Sequence, residues 1–442
     1  MKRMLICTII ALLAASAGLY AQEKTQAEPK VNLKVVYEKT FDEPIVDVIF
    51  DTATVSIEEA IEIGWKEEAL TSEDKIKGKT TVFYPKLVFI SDVSKLSHDR
   101  SEYPRCRREI RFYRRNGELI KKELTQPWGE RVIYSENGEY ILRSWIPSEY
   151  VSERQGGTLY KSDCTVVWKK GENELVAVSS DGYVMAKDPT YGEEPSDGHI
   201  FYEPSGKEIA RIVNPLNDKV VGYTAAKFSP YGDYAIIGYT DFKKTVIILA
   251  DKEGHILWQQ EFDWRSYTPY EMDIVEDLGM IGVCNKDGAS VFFIDQKGDL
   301  KWIVPLEIRG NMIVKISEDK KNVYVASSKG YIWCININNG KFLWKHREEW
   351  ATDPLFAERR VSWEIPRPRE LRVINDTLYI IGKQGRDWHS STLFVFDGAT
   401  GSLCKKEEYP QQKITFAQIE NAVGLISITK AKVSIFKQEV LK

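Results

Sequence analysis

The chain is poor in cysteine and histidine and has no excess of positive charge. Of its 442 residues, 6 are cysteine and 5 are histidine. Lys and Arg number 61 against 65 Asp and Glu, for a net charge of −4. Without a basic surplus the phosphate-neutralising term behind general nucleic-acid binding has no source, so nucleic acid is not an expected partner. There is no Cys-x-x-Cys, no vicinal cysteine pair and no Cys/His spacing of a zinc site. A His-Glu-x-x-His pattern, a Gly-x-Ser-x-Gly nucleophile turn and a Gly-x-x-x-x-Gly-Lys phosphate loop are also missing. The histidines (His98, His199, His255, His346 and His389) are scattered. No local pattern therefore asks for a metal or a cofactor, and none is expected. After the first twenty-odd residues, no apolar run approaches the roughly 18–20 residues that a membrane span needs.

What is present is apolar and aromatic. The chain is 43% hydrophobic and 12% aromatic, with 29 Gly and 17 Pro. That composition excludes the disordered, collagen-like and low-complexity classes. At the N-terminus, Lys2 and Arg3 precede an apolar run from Met4 to Ala15, followed by small residues up to Ala21-Gln22. This is the pattern of a secretory signal peptide over residues 1–21, cut after Ala21, with Ala15-Ser16-Ala17 as an alternative site. The mature chain, 22–442, is expected to be exported, either periplasmic or secreted. Cys7 lies inside the apolar run without a lipobox around it, so lipid anchoring is not expected. Of the other five cysteines, Cys284 and Cys334 sit in apolar strand-like runs and read as buried thiols. One disulfide stays open in an oxidising compartment, without a pair being singled out.

The strongest signal is a repeat. Turns recur at Asn116-Gly117, Asp163-Cys164, Ser205-Gly206, Glu253-Gly254, Lys297-Gly298, Asn339-Gly340 and Thr400-Gly401. The second turn residues are separated by 47, 42, 48, 44, 42 and 61. Glycine adopts positive φ at little cost, which is why it recurs in tight hairpins. Cys164 breaks the pattern, so that unit is expected to use another turn or to hold strain. Five positions before each turn stands Phe112, Leu159, Phe201, Leu249, Phe293, Ile335 or Phe396. Period-two alternation upstream of these residues reads as a strand with one buried face. Two positions after the turn, six of the seven units are apolar again: Leu119, Val166, Ile256, Leu300, Phe342 and Leu403. Four positions after it come Trp168, Trp258, Trp302 and Trp344. A second hairpin recurs upstream, in Tyr134-Ser-Glu-Asn-Gly138, Phe228-Ser-Pro-Tyr-Gly232 and Ile316-Ser-Glu-Asp319. About four short strands per 42–48 residues is the arithmetic of a β-propeller blade.

The units Leu-Tyr-Lys-Ser-Asp163-Cys-Thr-Val-Val-Trp168 and Phe-Ile-Asp295-Gln-Lys-Gly298-Asp-Leu-Lys-Trp302 resemble the quinoprotein-like (PQQ-type) propeller repeat. The Phe228-Ser-Pro-Tyr-Gly232 stretch resembles the hairpin of WD-repeat-like and Tol-type propellers. The resemblance covers roughly residues 100–407. It implies a propeller in which Trp168, Trp258, Trp302 and Trp344 are structural and dock between blades. The quinoprotein vicinal cysteines are absent, and the Asp-x-x-Thr-Gly turn is approached only at Asp397–Gly401, where Lys405 replaces Trp.

The expected fold is therefore all-β, a single propeller of about eight four-stranded blades over 22–442. After Lys413 only three strands remain, so the strand-like run Asn32–Phe41 is expected to complete the last blade and cover its edge. Seven blades is the alternative if region 41–105 forms none. Glu58–Ala69 is expected to be a short acidic helix or capping insertion, within an atypical stretch at about 51–80, because Ile57, Ile61 and Trp65 share a helical face. Arg105, Arg107, Arg108, Arg111, Arg114 and Arg115 are expected on an outer strand, some on its exposed face.

A loop insertion at about 346–370 stretches one repeat to 61. Its Trp350, Arg359, Arg360, Trp363, Arg367 and Arg369 have the composition of interface hot spots, and together they form the expected partner-binding loop. The functional expectation is a monomeric, non-enzymatic binding or scaffold propeller for a protein or polysaccharide partner in the cell envelope. The alternative is an enzyme, a quinoprotein-like oxidoreductase or a hydrolase/lyase, with its site in the central funnel. Such a site would draw single residues from several blades and leave no local motif.

Overall fold

The computed structural model describes residues 32–41, 45–63, 65–67, 70, 72–91, 108–114, 118–124, 130–135, 138–145, 156–171, 173–188, 198–216, 223–240, 244–264, 272–275, 277–284, 289–306, 312–327, 329–347, 367–374, 376–384, 390–410, 412–419, 422–429 and 432–439. Their strands form eight four-stranded antiparallel sheets in succession. Sheet 1 spans 45–124, sheet 2 130–170, sheet 3 175–212, sheet 4 223–262, sheet 5 273–305, sheet 6 312–347 and sheet 7 367–409. In each of these the four strands lie in chain order. The first strands of neighbouring sheets approach one another on the inside, and the fourth strands form the outer edges.

Sheet 8 is composite. Lys413–Ile419, Ala422–Thr429 and Lys432–Glu439 supply three strands, and Asn32–Thr40 supplies the outermost one. That last strand runs antiparallel to the chain's end, from Asn32↔Glu439 to Thr40↔Lys432. Region 41–105 contributes two strands, Ile45–Ser56 and Lys79–Ser91, to sheet 1. Between them α1 (Ile57–Glu62) starts at Ser56, whose hydroxyl accepts from the Glu59 N–H at 3.1 Å. A second helix, α2 (Ser72–Lys77), follows. The insertion is thus 57–78, narrower than expected, and α1 ends seven residues before Ala69. Ala60, not Ile61, is the buried residue of α1, while Ile61 is 44% exposed. Trp65 is buried and bridges to Tyr37 of the N-terminal strand.

The hydrophobic cores lie between sheets. One joins Ile281, Val291 and Phe293 of sheet 5 to Met312, Val323, Trp333 and Ile335 of sheet 6. Comparable clusters join sheets 1 and 2, 2 and 3, 3 and 4, 4 and 5, 6 and 7, and 7 and 8. No sheet can bury both of its faces alone, so each depends on the next. The residue five positions before every turn, from Phe112 to Phe396, is buried in all seven sheets.

The turns at Gly206, Gly254, Gly298, Gly340 and Gly401 all place glycine at positive φ. Cys164 uses the same turn. Its N–H donates to the Lys161 carbonyl at 2.9 Å, as Gly254 donates to Asp251 at 3.0 Å, and it sits at φ +69°. Cys164 therefore carries the strain of a left-handed non-glycine residue.

Candidate functional site

Beyond each turn, the fourth strand of sheets 1–7 carries one extra residue at the third position: Ile120, Val167, Ile209, Leu257, Lys301, Leu343 or Cys404. In sheet 4, Ile256 pairs with Ala250 and Trp258 with Leu249, so residues two apart oppose consecutive residues and take opposite faces. The second-position residue turns back toward the preceding sheet and the fourth-position residue turns forward. The strands before the turns differ from the expectation of one buried face: Gly156–Lys161, Gly198–Tyr202, Thr245–Asp251 and Ser290–Asp295 are buried on both faces, because each packs between two neighbouring sheets. Leu119, Val166, Ile256, Leu300 and Phe342 are 38–50% exposed.

The forward-facing tryptophans reach the turn of the next sheet. Trp258 Nε1 donates to the Gln296 carbonyl at 2.9 Å, Trp302 to Ile337 at 2.6 Å and Trp344 to Gly398 at 2.8 Å. A Cβ on Gly298, Gly340 or Gly401 would meet those same rings at 2.5–2.9 Å. Trp168 lies equally close to Gly206, but its buried Nε1 has no partner among the described residues. Where tryptophan is missing, other groups fill the seam. Lys121 of sheet 1 sits 5.1 Å from the Tyr160 ring centroid. Beside it Glu123 takes an ion pair from Arg143 and a 2.9 Å hydrogen bond from the Tyr160 hydroxyl. Burial raises the Glu123 pKa, but Lys121, Arg143 and Tyr160 together hold it below its ordinary value. In sheet 3 the docking position is Ala210.

Around the axis, charged side chains tie inner strands together. Asp273, on the first strand of sheet 5, is buried. One of its oxygens accepts from Lys315 Nζ of sheet 6 at 2.8 Å, and Lys227 Nζ of sheet 4 lies 3.9 Å from the same atom. Its other oxygen accepts the Ile316 N–H at 3.0 Å. Glu370 of sheet 7 likewise accepts the Phe416 N–H of sheet 8 at 2.9 Å. Ser144 accepts the Leu175 N–H and Ser391 the Ile414 N–H, each at 3.1 Å. Inner strands are sheet edges, and side chains of the preceding sheet cap their unladdered N–H groups. Among the described residues, no three His, Cys, Asp or Glu side chains are grouped to hold a metal ion.

Of the expected partner-binding loop, Trp350, Arg359, Arg360 and Trp363 lie outside the described residues. Arg367 and Arg369 belong to the first strand of sheet 7, Arg367–Ile374, with Arg367 opposite Lys383. The intervening connection, 348–366, therefore links the outer edge of sheet 6 to the inner strand of sheet 7. The arginine run does not lie on an outer strand. Arg108–Tyr113 is the third strand of sheet 1, and within it Arg111 is buried. Arg114, just past the strand, is exposed and paired with Glu118 at 2.8 Å. Cys106, Arg105, Arg107, Arg115 and His389, like the signal-peptide reading of 1–21, fall outside the described residues. Cys164, Cys284, Cys334 and Cys404 form no disulfide, and the first three are buried.

Two features escaped sequence reasoning. One is a cleft of about 130 Å³ between sheets 4 and 5, walled by Tyr234, Leu257, Trp258, Ile274, Met280 and Asp295 among others. The other is His199, which is fully buried against Tyr239. Its only sequence signal is a polar residue two positions before the buried Phe201, in a strand otherwise apolar.

No protein-family model matches the chain, and no curated protein matches it in sequence. Its fold is similar to that of BamB from Moraxella catarrhalis, a β-propeller protein, at 9% identity and a TM-score of 0.52. That match covers 92% of this chain and 100% of that one. The computationally designed protein Ika8 is similar at 10% identity and a TM-score of 0.53, with the same coverage. NirN, a dihydro-heme d1 dehydrogenase, matches at 12% identity and a TM-score of 0.49 over 75% of this chain and 72% of its own, too distant to carry an argument. At these identities the likeness establishes the fold alone. The chain is a β-propeller.

Proposed function

We propose that the chain is an exported, monomeric, eight-bladed propeller that acts without catalysis, as a binding or scaffold module for a protein or polysaccharide partner of the cell envelope. The observation that carries this reading is the commitment of the inner-strand carboxylates. Asp273 holds Lys315 and the Ile316 N–H, and Glu370 holds the Phe416 N–H. A general acid or base needs a lone pair or proton directed at substrate. Here those oxygens bind neighbouring sheets, which suits a rigid frame better than a reactive funnel.

On that frame the binding surface is the connection between sheets 6 and 7, with Trp350, Arg359, Arg360 and Trp363, continued by Arg367 and Arg369. Tryptophan and arginine give large contact area and planar, charge-assisted hydrogen bonding, the combination found at interface hot spots. The basic and apolar run at 2–15 supports export. Affinity capture from envelope extracts with the mature protein tests the reading. Wild type is expected to retain a protein or polysaccharide partner, and Trp363→Ala or Arg367→Ala to reduce retention at least about tenfold, a usual hot-spot loss. Unchanged retention by both variants would remove this surface from consideration.

A further inference from the structure

Neither seam of sheet 3 carries the indole hydrogen bond that joins sheets 4, 5, 6 and 7 in succession. On one side, Trp168 rests on Gly206 without the indole hydrogen bond that three equivalent tryptophans make. On the other, Ala210 occupies the tryptophan position against Gly254, so no indole crosses the seam to sheet 4. Into this same seam projects His199, from the third strand of sheet 3, Gly198–Tyr202. Its Nδ1 lies 2.9 Å from the hydroxyl of Tyr239, on the second strand of sheet 4, Tyr234–Thr240. Its Nε2 is buried and has no partner among the described residues. Asn214, two residues past His199's cross-strand neighbour Ile212, has a buried Nδ2 in the same condition.

We propose that the seam between sheets 3 and 4 is an acid-sensitive joint, closed while His199 is neutral and released when its ring takes a proton. A neutral imidazole tolerates the buried site because Tyr239, itself packed with Phe201, Ile212, Ile237 and Val246, satisfies one nitrogen. An imidazolium must donate from both nitrogens, and Nε2 meets no acceptor among the described residues. Among the described residues, two titratable groups act on the ring. From its own sheet Lys187 lies directly across the ladder, ion-paired to Glu174 at 3.2 Å. From sheet 4 there is Tyr239. Burial first, and then the charge of Lys187, push the ring's pKa down to about 3.

Once the seam opens, the ring is hydrated and titrates near 6.5. The folded value lies below the open one, so closure is fully stabilised above about pH 6.5 and loses ground as pH falls toward 3. Each unit in that window multiplies the opening constant by up to about ten. Near pH 4.5 the joint should open about 100-fold more often than at neutrality.

Hydrogen exchange of the mature protein at neutral pH and near pH 4.5, corrected for intrinsic rates, reads this directly. The strands 198–202 and 234–240 are expected to gain about 100-fold in exchange while 322–327 and 331–336 of sheet 6 do not. His199→Gln, which does not titrate in this range, is expected to abolish the difference, and Tyr239→Phe to retain it. Equal acid sensitivity of sheets 3, 4 and 6 in the wild type overturns the proposal whether or not the variants fold. An undiminished response in His199→Gln overturns it as well.

Discussion

Each docking tryptophan needs a glycine beneath it, and the two residues are separable by mutation. Gly298 holds φ +87°, and a Cβ there would stand 2.9 Å from the Trp258 ring. Gly78 holds φ +64° with nothing within 4 Å. Gly78→Ala should therefore cost about 1 kcal/mol, the left-handed penalty alone. Gly298→Ala should add about 1–3 kcal/mol of overpacking. Urea unfolding of both variants measures the difference, and equal losses would refute the docking geometry. The indole N–H makes a second comparison. Trp302→Phe gives up the hydrogen bond to Ile337 and leaves that carbonyl short of a donor, at about 1–2 kcal/mol beyond the lost area. Trp168→Phe gives up no such bond. Thermal melts should rank Trp302→Phe clearly below Trp168→Phe.

Single strands explain which readings of the sequence succeed. Turn spacing is carried by glycine's backbone freedom, a local property, so seven hairpins and the period are visible without coordinates. The face on which a residue lies is not local once a bulge intervenes. The extra residue at Leu257 or Lys301 moves the second-position apolar row out of the core, though alternation alone places it inside. Ile256→Thr, at a site 50% exposed, is accordingly expected to cost under about 1 kcal/mol. Ile248→Thr, fully buried two strand positions from Ala250, is expected to cost about 2 kcal/mol or more. Equal costs in chemical denaturation would remove the bulge argument. His199 follows the same logic: it is buried against Tyr239 of the next sheet, 40 residues on, which no window of ten residues contains. Asp273 is another such case. Asp273→Asn keeps an oxygen for the Ile316 N–H, whereas Asp273→Ala orphans it. The alanine variant should be the less stable by about 1–3 kcal/mol in urea, and the reverse order would contradict the assigned hydrogen bond.

For the whole molecule, the two ends of the chain meet in one sheet. Counting three strands after Lys413 already leaves a place for a fourth, and Asn32–Thr40 fills it. What the count does not reveal is that this strand also forms the seam to sheet 1. Lys39 Nζ lies 5.1 Å from the Tyr113 ring centroid, and Phe41 meets the same ring edge-on at 5.9 Å. Burial lowers the Lys39 pKa, which marks how far the ammonium is drawn under the aromatic rings. Tyr37, buried, bridges to Trp65 of the sheet 1 insertion. Deleting residues 32–41 therefore removes a strand and a seam together. It bares the ladder groups of Lys432–Glu439 as a free sheet edge, the kind that pairs with other chains. The deletion variant is expected to elute as oligomers and to be cut by protease in sheets 8 and 1 first. Lys39→Met, which keeps the strand but removes the charge over Tyr113, is expected to elute with the unsubstituted chain and lose about 1 kcal/mol. A synthetic peptide spanning 32–41, added during refolding, should restore the elution of the full chain by pairing with the vacated edge of Lys432–Glu439. A deletion variant that elutes with the full chain, with an unaltered melting temperature, would show that the N-terminal strand does not hold the ring closed.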